Sequence, residues 1–125
     1  MQVQVHQLNA HLAGSVKLEY VAGRDGQRPK ATFVAISNHR WGPGDDRQER
    51  ATSIRWTMWG KQAENAAQYL GKGSHVNIVG HMENNNYTDG DGKEVFAFNY
   101  TADDVDYLDS KAEAEQRRGA ARDTA

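Results

Sequence analysis

No cysteine occurs among the 125 residues. That removes disulfide frameworks, thiolate zinc sites and cysteine nucleophiles, and it fits a reducing cytoplasm. Long apolar runs are also missing. Nothing approaches the ~20 residues of a transmembrane helix, and the N-terminus carries no basic-then-apolar signal sequence. The expectation is a soluble cytoplasmic protein. Positive charge is not in excess either, because 15 Lys and Arg stand against 17 Asp and Glu, a formal net charge of −2. This argues against a protein that holds a polyanion by bulk charge.

The charges present are segregated. Residues 24–61 hold eight cations (Arg24, Arg28, Lys30, Arg40, Arg47, Arg50, Arg55, Lys61) against four acids, a local net charge of +4. Asp103, Asp104, Asp106 and Asp109 cluster without a base among them. A local anion-binding face needs such a distribution, although charged loops that are simply solvated produce it too.

The stretch Thr52 to Ser74 organises the rest. Ser53, Arg55, Thr57 and Trp59 alternate with Ile54, Trp56 and Met58, the period of a strand with one apolar face. Trp56 falls on the core side. The other face carries a cation and a large ring two residues apart, and a wet Trp beside Arg suits a stacked base and a paired phosphate. Gly60 and Lys61 then open a helix whose Ala63, Ala66, Ala67 and Leu70 form one buried stripe. Gly71 falls where a left-handed C-cap is expected.

Before this segment, Val3, Val5 and Leu8 mark a first strand and Val16, Leu18 and Tyr20 a second. Asp25-Gly26 signals a hairpin. Ala31 to Asn38 is apolar on both faces at Phe33 to Ile36, as in a central strand. Residues 39–50 read as a long polar loop broken by Gly-Pro-Gly. Trp41 in that loop suits a binding residue, or a ring folded back over the sheet. After the helix, Ser74 to Glu83 alternates again, Asp89-Gly90 and Asp91-Gly92 make a second hairpin tip, and Val95 to Leu108 returns as a last strand. Five or six strands, with one helix between the third and fourth principal ones, predict an all-β OB-fold: a five-stranded Greek-key barrel with long hairpin loops. It is expected over residues 1–109, with 110–125 as a disordered tail.

Chemical motifs are weak. The Asp-Gly-Asp-Gly-Lys-Glu run lacks calcium-loop spacing, and Gly71 to Ser74 follows a helix where a phosphate loop precedes one. His75 and His81 share a strand face about 20 Å apart, too far for one metal. Asp104 and Asp106 suit a solvated strand end better than a magnesium site. No nucleophile constellation is visible, so no enzyme, metal or cofactor is expected.

In order and spacing, Trp59-Gly60-Lys61, Tyr69-Leu70, Lys72-Gly73-Ser74 and Val76, Ile78, Gly80 resemble the bacterial-type single-stranded DNA-binding protein (SSB) family. The similarity extends over residues 3–108 and is firmest over 52–82; the hairpin Tyr87 to Lys93 resembles the family's aromatic-Thr-Asp hairpin. It implies an OB-fold homo-oligomer, tetramer or dimer, that coats single-stranded DNA in replication, recombination and repair without catalysis or cofactor. By position, Trp41, Trp59 and Tyr87 match the family's stacking aromatics, and Arg55 and Lys61 match its basic residues. Arg40, Lys30 and Lys72 complete the expected contacts.

Three departures stand out. The family usually has Trp-His where this chain has Ser53-Ile54. Its basic strand before the hairpin tip is here Glu83-Asn84-Asn85-Asn86. Residues 111–125 hold four bases and three acids and lack the acidic tip that recruits enzymes, so no such recruitment is expected. A copy carried on a plasmid, phage or integrated element fits these changes. An OB-fold accessory protein acting mainly through protein contacts, with weak single-stranded DNA or RNA binding, stays open, as does a module that has lost DNA binding.

Overall fold

The structure, a computed structural model, describes residues 3–24 and 26–109. The expected tail, residues 110–125, lies outside them. The elements in order are β1 (Val3–Leu12), β2 (Lys17–Gly23), β3 (Gly26–Trp41), β4 (Gln48–Trp59), α1 (Lys61–Tyr69), β5 (His75–Asn84), β6 (Tyr87–Thr88), β7 (Glu94–Val95) and β8 (Phe98–Tyr107).

The main sheet runs β1-β5-β8-β4-β3-β2, and β1 also pairs with β3. That second pairing, His11 with Ile36 and Leu12 with Ala35, closes β1, β5, β8, β4 and β3 into a ring. Five strands therefore make the barrel, and β2 lies outside it along β3. Counted on ring strands alone, α1 falls between the third and the fourth, the OB-fold order. Helix α1 closes one end of the ring with Ala63 and Ala66 fully buried.

The barrel interior is arranged around Trp56, which is fully buried. Its indole N–H is donor-only and must find an acceptor inside. Gln7 provides it, with Trp56 Nε1 donating to Gln7 Oε1 at 2.8 Å. The amide nitrogen of Gln7 then donates towards Ala35 O at 3.0 Å, with Ser37 Oγ at 3.2 Å and Thr52 O at 3.3 Å. One buried amide thus ties β1, β3 and β4 together. Tyr100 meets Trp56 edge-on at 5.9 Å.

Room for the indole comes from Gly80. A Cβ there would lie 2.0 Å from Thr101 O and 2.7 Å from Trp56 Cζ3. The backbone of β8 therefore approaches β5 closely beneath the ring. One residue on, β8 bulges: Gly80 pairs with Ala102 but Val79 pairs with Asp104, leaving Asp103 as the extra residue. The bulge aims Asp103 at His81, whose Nδ1 is 2.9 Å from Asp103 Oδ2 and whose Nε2 is 3.2 Å from Glu83 Oε1. A ring with a carboxylate at each nitrogen favours the imidazolium. The Asp103 hydrogen bond, against an opposing desolvation, raises the pKa of His81 above its ordinary 6.5.

Several local expectations are corrected. Of the residues that mark β1, Val5 packs on the core, whereas Val3 and Leu8 are exposed. Asn9 adopts a positive φ of 53° and the register shifts between Gln7 and Ala10, so both of those face inward. Gly71 is not the left-handed residue after the helix. Leu70 is already extended, and Gly73 carries the positive φ, 86°, where its N–H reaches Leu12 O. The long polar loop is mostly strand: β3 and β4 pair without a shift out to Trp41 and Gln48, and the tip is residues 42–47 with a single 3-10 turn. The last strand is broken at residues 96–97 into β7 and β8.

Two outcomes follow. Gly80→Ala forces a methyl against a backbone carbonyl that cannot turn aside, and should cost about 3 kcal/mol in urea unfolding, the top of the ~1–3 kcal/mol range for overpacking. A near-neutral result would contradict the close approach. For His81, a raised folded pKa gives stability that is complete below about pH 6.5 and is lost as pH rises through the folded value. Asp103→Asn should therefore destabilise the protein more at about pH 6 than at about pH 8; a pH-independent difference would contradict the pairing.

Candidate nucleic-acid interface

Because Trp56 and Met58 are buried, Arg55, Thr57 and Trp59 face out of the barrel. Strand β3 lies beside them with Lys30 opposite Trp59, Thr32 opposite Thr57 and Val34 opposite Arg55. Arg28, one alternation before Lys30, falls on the same side. Its guanidinium carbon sits 4.7 Å from the centroid of the Trp59 ring, and Lys30 Nζ lies 5.7 Å from it. Trp59 is thus half-buried rather than fully wet, and held by two cation–π contacts.

Two shallow depressions flank this arrangement. One is lined by Arg28, Trp59, Lys61, Gln62, Thr101, Ala102 and Asp103. The other, about 360 Å³, is lined by Lys30, Thr32, Ser53, Ile54, Arg55, Thr57, Phe98, Asn99 and Tyr100. They meet where β4 and β8 pair in parallel for only two residues, Trp56 with Tyr100 and Thr57 with Thr101. Four cations border the pair of depressions, against one acid, Asp103. A ring flanked by cations in an open groove suits a stacked base between phosphates.

The fold therefore brings together four of the expected site residues: Lys30, Arg55, Trp59 and Lys61. The other four stand elsewhere. Trp41 ends β3, 43% exposed, stacked on His39 at 5.3 Å and under Arg50 at 5.9 Å. It is on a strand, not in a loop, with its ring against residues of the β3–β4 ladder. The eleven steps along β4 from Gln48, the partner of Trp41, to Trp59 place Trp41 about 36 Å along the ladder from Trp59. The unshifted register also gives it the opposite parity from Trp59. Arg40 shares the parity of Trp59 but pairs across the strands with Glu49 at 3.5 Å, an exposed contact of small energy. Tyr87 is on the separate β6–β7 hairpin and 54% exposed. Lys72 lies in the turn into β5, past the far end of α1 from Lys61.

Arg28 and Phe98 are members of the groove that sequence reasoning passed over. The alternation of Arg28 with Lys30 was a usable signal for the first. Phe98 reads in sequence as one more strand aromatic, and only the break at residues 96–97 leaves it 47% exposed at the groove. Among the described residues, no group of three or more His, Asp or Glu is placed to hold a metal ion, and no helix is long and apolar enough to cross a membrane.

The model of the single-strand binding protein family matches residues 6–108. The chain is 38% identical over 85 residues to a single-stranded DNA-binding protein 2 of Listeria innocua, covering 68% of this chain and 53% of the relative. It is 34% identical over 90 residues to a single-stranded DNA-binding protein of Bacillus cereus, covering 72% and 52% respectively. A single-stranded DNA-binding protein 1 of Clostridium acetobutylicum is 36% identical over 67 residues, 54% of this chain and 61% of that protein. The chain spans about half the length of the first two of these relatives. With its barrel, its α1 position and a family match over most of its length, the chain belongs to the single-strand binding protein family.

Proposed function

We propose that this chain binds and protects single-stranded DNA, without catalysis, by stacking a base on Trp59 and pairing the flanking phosphates with Arg28, Lys30, Arg55 and Lys61. The observation that carries the reading is the Trp59 ring on the outer face with two cations against it, Arg28 at 4.7 Å and Lys30 at 5.7 Å. The names of the relatives support the same ligand. The biological setting is DNA replication, recombination and repair in the cytoplasm, and the working form is a homo-oligomer, tetramer or dimer. Trp41, Arg40, Tyr87 and Lys72 contact the same polymer farther along its path.

The mechanism is additive. Each stacked base contributes ~1–3 kcal/mol, with little dependence on sequence because every base has a π-face. Each neutralised phosphate releases counterions, so binding weakens with salt by about 0.7 in log-log slope per contact on a single strand. The four cations around Trp59 therefore contribute a slope of about −3, and Arg40 and Lys72 add about −1.4 where the strand reaches them. In a titration with oligo-dT, Trp59→Ala should weaken binding by roughly 5- to 150-fold and reduce the tryptophan quenching, with the salt slope nearly unchanged. Arg28→Ala should lower the slope by about 0.7. Wild-type protein that neither binds nor quenches at low salt would overturn the reading.

A further inference from the structure

Parity sets a problem for any strand that touches both Trp59 and Trp41. The two rings lie on opposite faces of the β3–β4 ladder. A polymer running along one face reaches one of them only, unless it passes the edge of β4. On that edge, among the described residues, β4 has no strand partner from Gln48 to Arg55, and the part of it next to the barrel is lined by side chains. Beyond Trp56 and Thr57 the parallel pairing of β4 with β8 stops, and no ladder joins Ile54 and Arg55 to Phe98 and Asn99. The strands splay and leave the cleft of about 360 Å³.

The chemistry of this cleft suits a nucleobase. Ile54, Phe98 and Tyr100 give it apolar surface. Tyr100 is fixed by its edge contact with Trp56, whereas Phe98 is 47% exposed and has a ring free to take a partner. The facing strand edges carry backbone donors and acceptors that the ladder does not use, and a base presents an apolar face and a polar edge. Arg55 and Lys30 also line the cleft, so cations stand where the phosphates on either side would run. Ser53 lines it too. Its small side chain leaves the cleft open.

We infer that the Ile54–Phe98–Tyr100 cleft is a base-binding subsite. There a nucleotide stacks on Phe98 as the strand crosses from the Trp59 face of the β3–β4 ladder towards the Trp41 face. Phe98 supplies, from β8, the ring that Ser53 does not supply from β4. The inference rests on the reading of this chain as a single-strand binder and adds a defined path and an anchoring residue to it.

The test uses the whole chain and fluorescein-labelled oligo-dT, read by anisotropy over a range of salt, for wild type, Trp59→Ala, Phe98→Ala and Phe98→Tyr. Thermal melts check that the exposed Phe98 can be replaced without unfolding. Phe98→Ala should bind roughly 5- to 150-fold more weakly, the loss of one stacked base, with an unchanged salt slope. Phe98→Tyr, which keeps the ring, should bind within about twofold of wild type. Oligonucleotides carrying 5-iodouracil should photocrosslink to the peptide that contains Phe98. Wild-type affinity in Phe98→Ala, with Trp59→Ala still weakened, would overturn the subsite and leave the strand-binding reading standing. A tyrosine variant as weak as the alanine variant would also overturn it, because stacking would not be the cause. Wild type that fails to bind oligo-dT would remove the reading itself.

Discussion

The structure depends on giving one buried indole a hydrogen-bond acceptor and a space to lie in. Trp56 would strand its N–H inside the barrel without Gln7, at a cost of about 1–3 kcal/mol for an unsatisfied buried donor. It could not lie flat against β5 and β8 without Gly80. These two accommodations reach all five ring strands: Gln7 joins β1 to β3 and β4, and Gly80 lets β5 and β8 close beneath the ring. Once Trp56 faces inward, a one-residue slip of β4 would turn every one of its side chains over. The same burial that stabilises the fold therefore turns Arg55, Thr57 and Trp59 outward.

The proposed interface is a consequence of that register more than of net charge. A chain of net charge −2 presents a cationic groove because β3, β4 and the start of α1 bring Arg28, Lys30, Arg55 and Lys61 to one outer face with Trp59, while the acids of β8 gather mostly elsewhere. Asp103 is the exception. The bulge at Gly80 directs it to His81, so its charge is engaged beside the groove. The β3–β4 ribbon projects past the barrel with Trp41 near its tip, and its unbroken pairing gives the two rings opposite parity.

Much of this was legible in the sequence, for physical reasons. Alternation through Thr52 to Trp59 identified Trp56 and Met58 as core and Trp59 as outward, because β4 has one dry face and one wet face. The alanine stripe and Leu70 marked α1. Features set by distant contacts were not legible. Gln7 reads as a surface residue until Trp56 demands an acceptor. Leu8 reads as core until the bulge at Asn9 rephases β1. Gly71 and Gly73 are equivalent as stop signals, and the hydrogen bond of Gly73 to Leu12 decides between them. Polar composition suggested a loop over residues 39–50. A two-stranded ribbon wet on both faces has no hydrophobic period, so its pairing leaves no pattern to read. For the site, alternation picked Arg55 and Trp59 and the family resemblance carried most of the other six; the fold gathers four of the eight, since a matching position in sequence does not give the face on which a side chain stands.

The most direct test of the account is the two-dimensional proton–nitrogen spectrum of the three tryptophan indoles during titration with oligo-dT. The account predicts that the Trp59 indole shifts strongly on binding. The Trp56 indole, hydrogen-bonded to Gln7 inside the barrel, should stay in place and exchange slowly with solvent. An unmoved Trp59 signal at saturating DNA, or a Trp56 signal that exchanges rapidly or shifts as the main response, would contradict it.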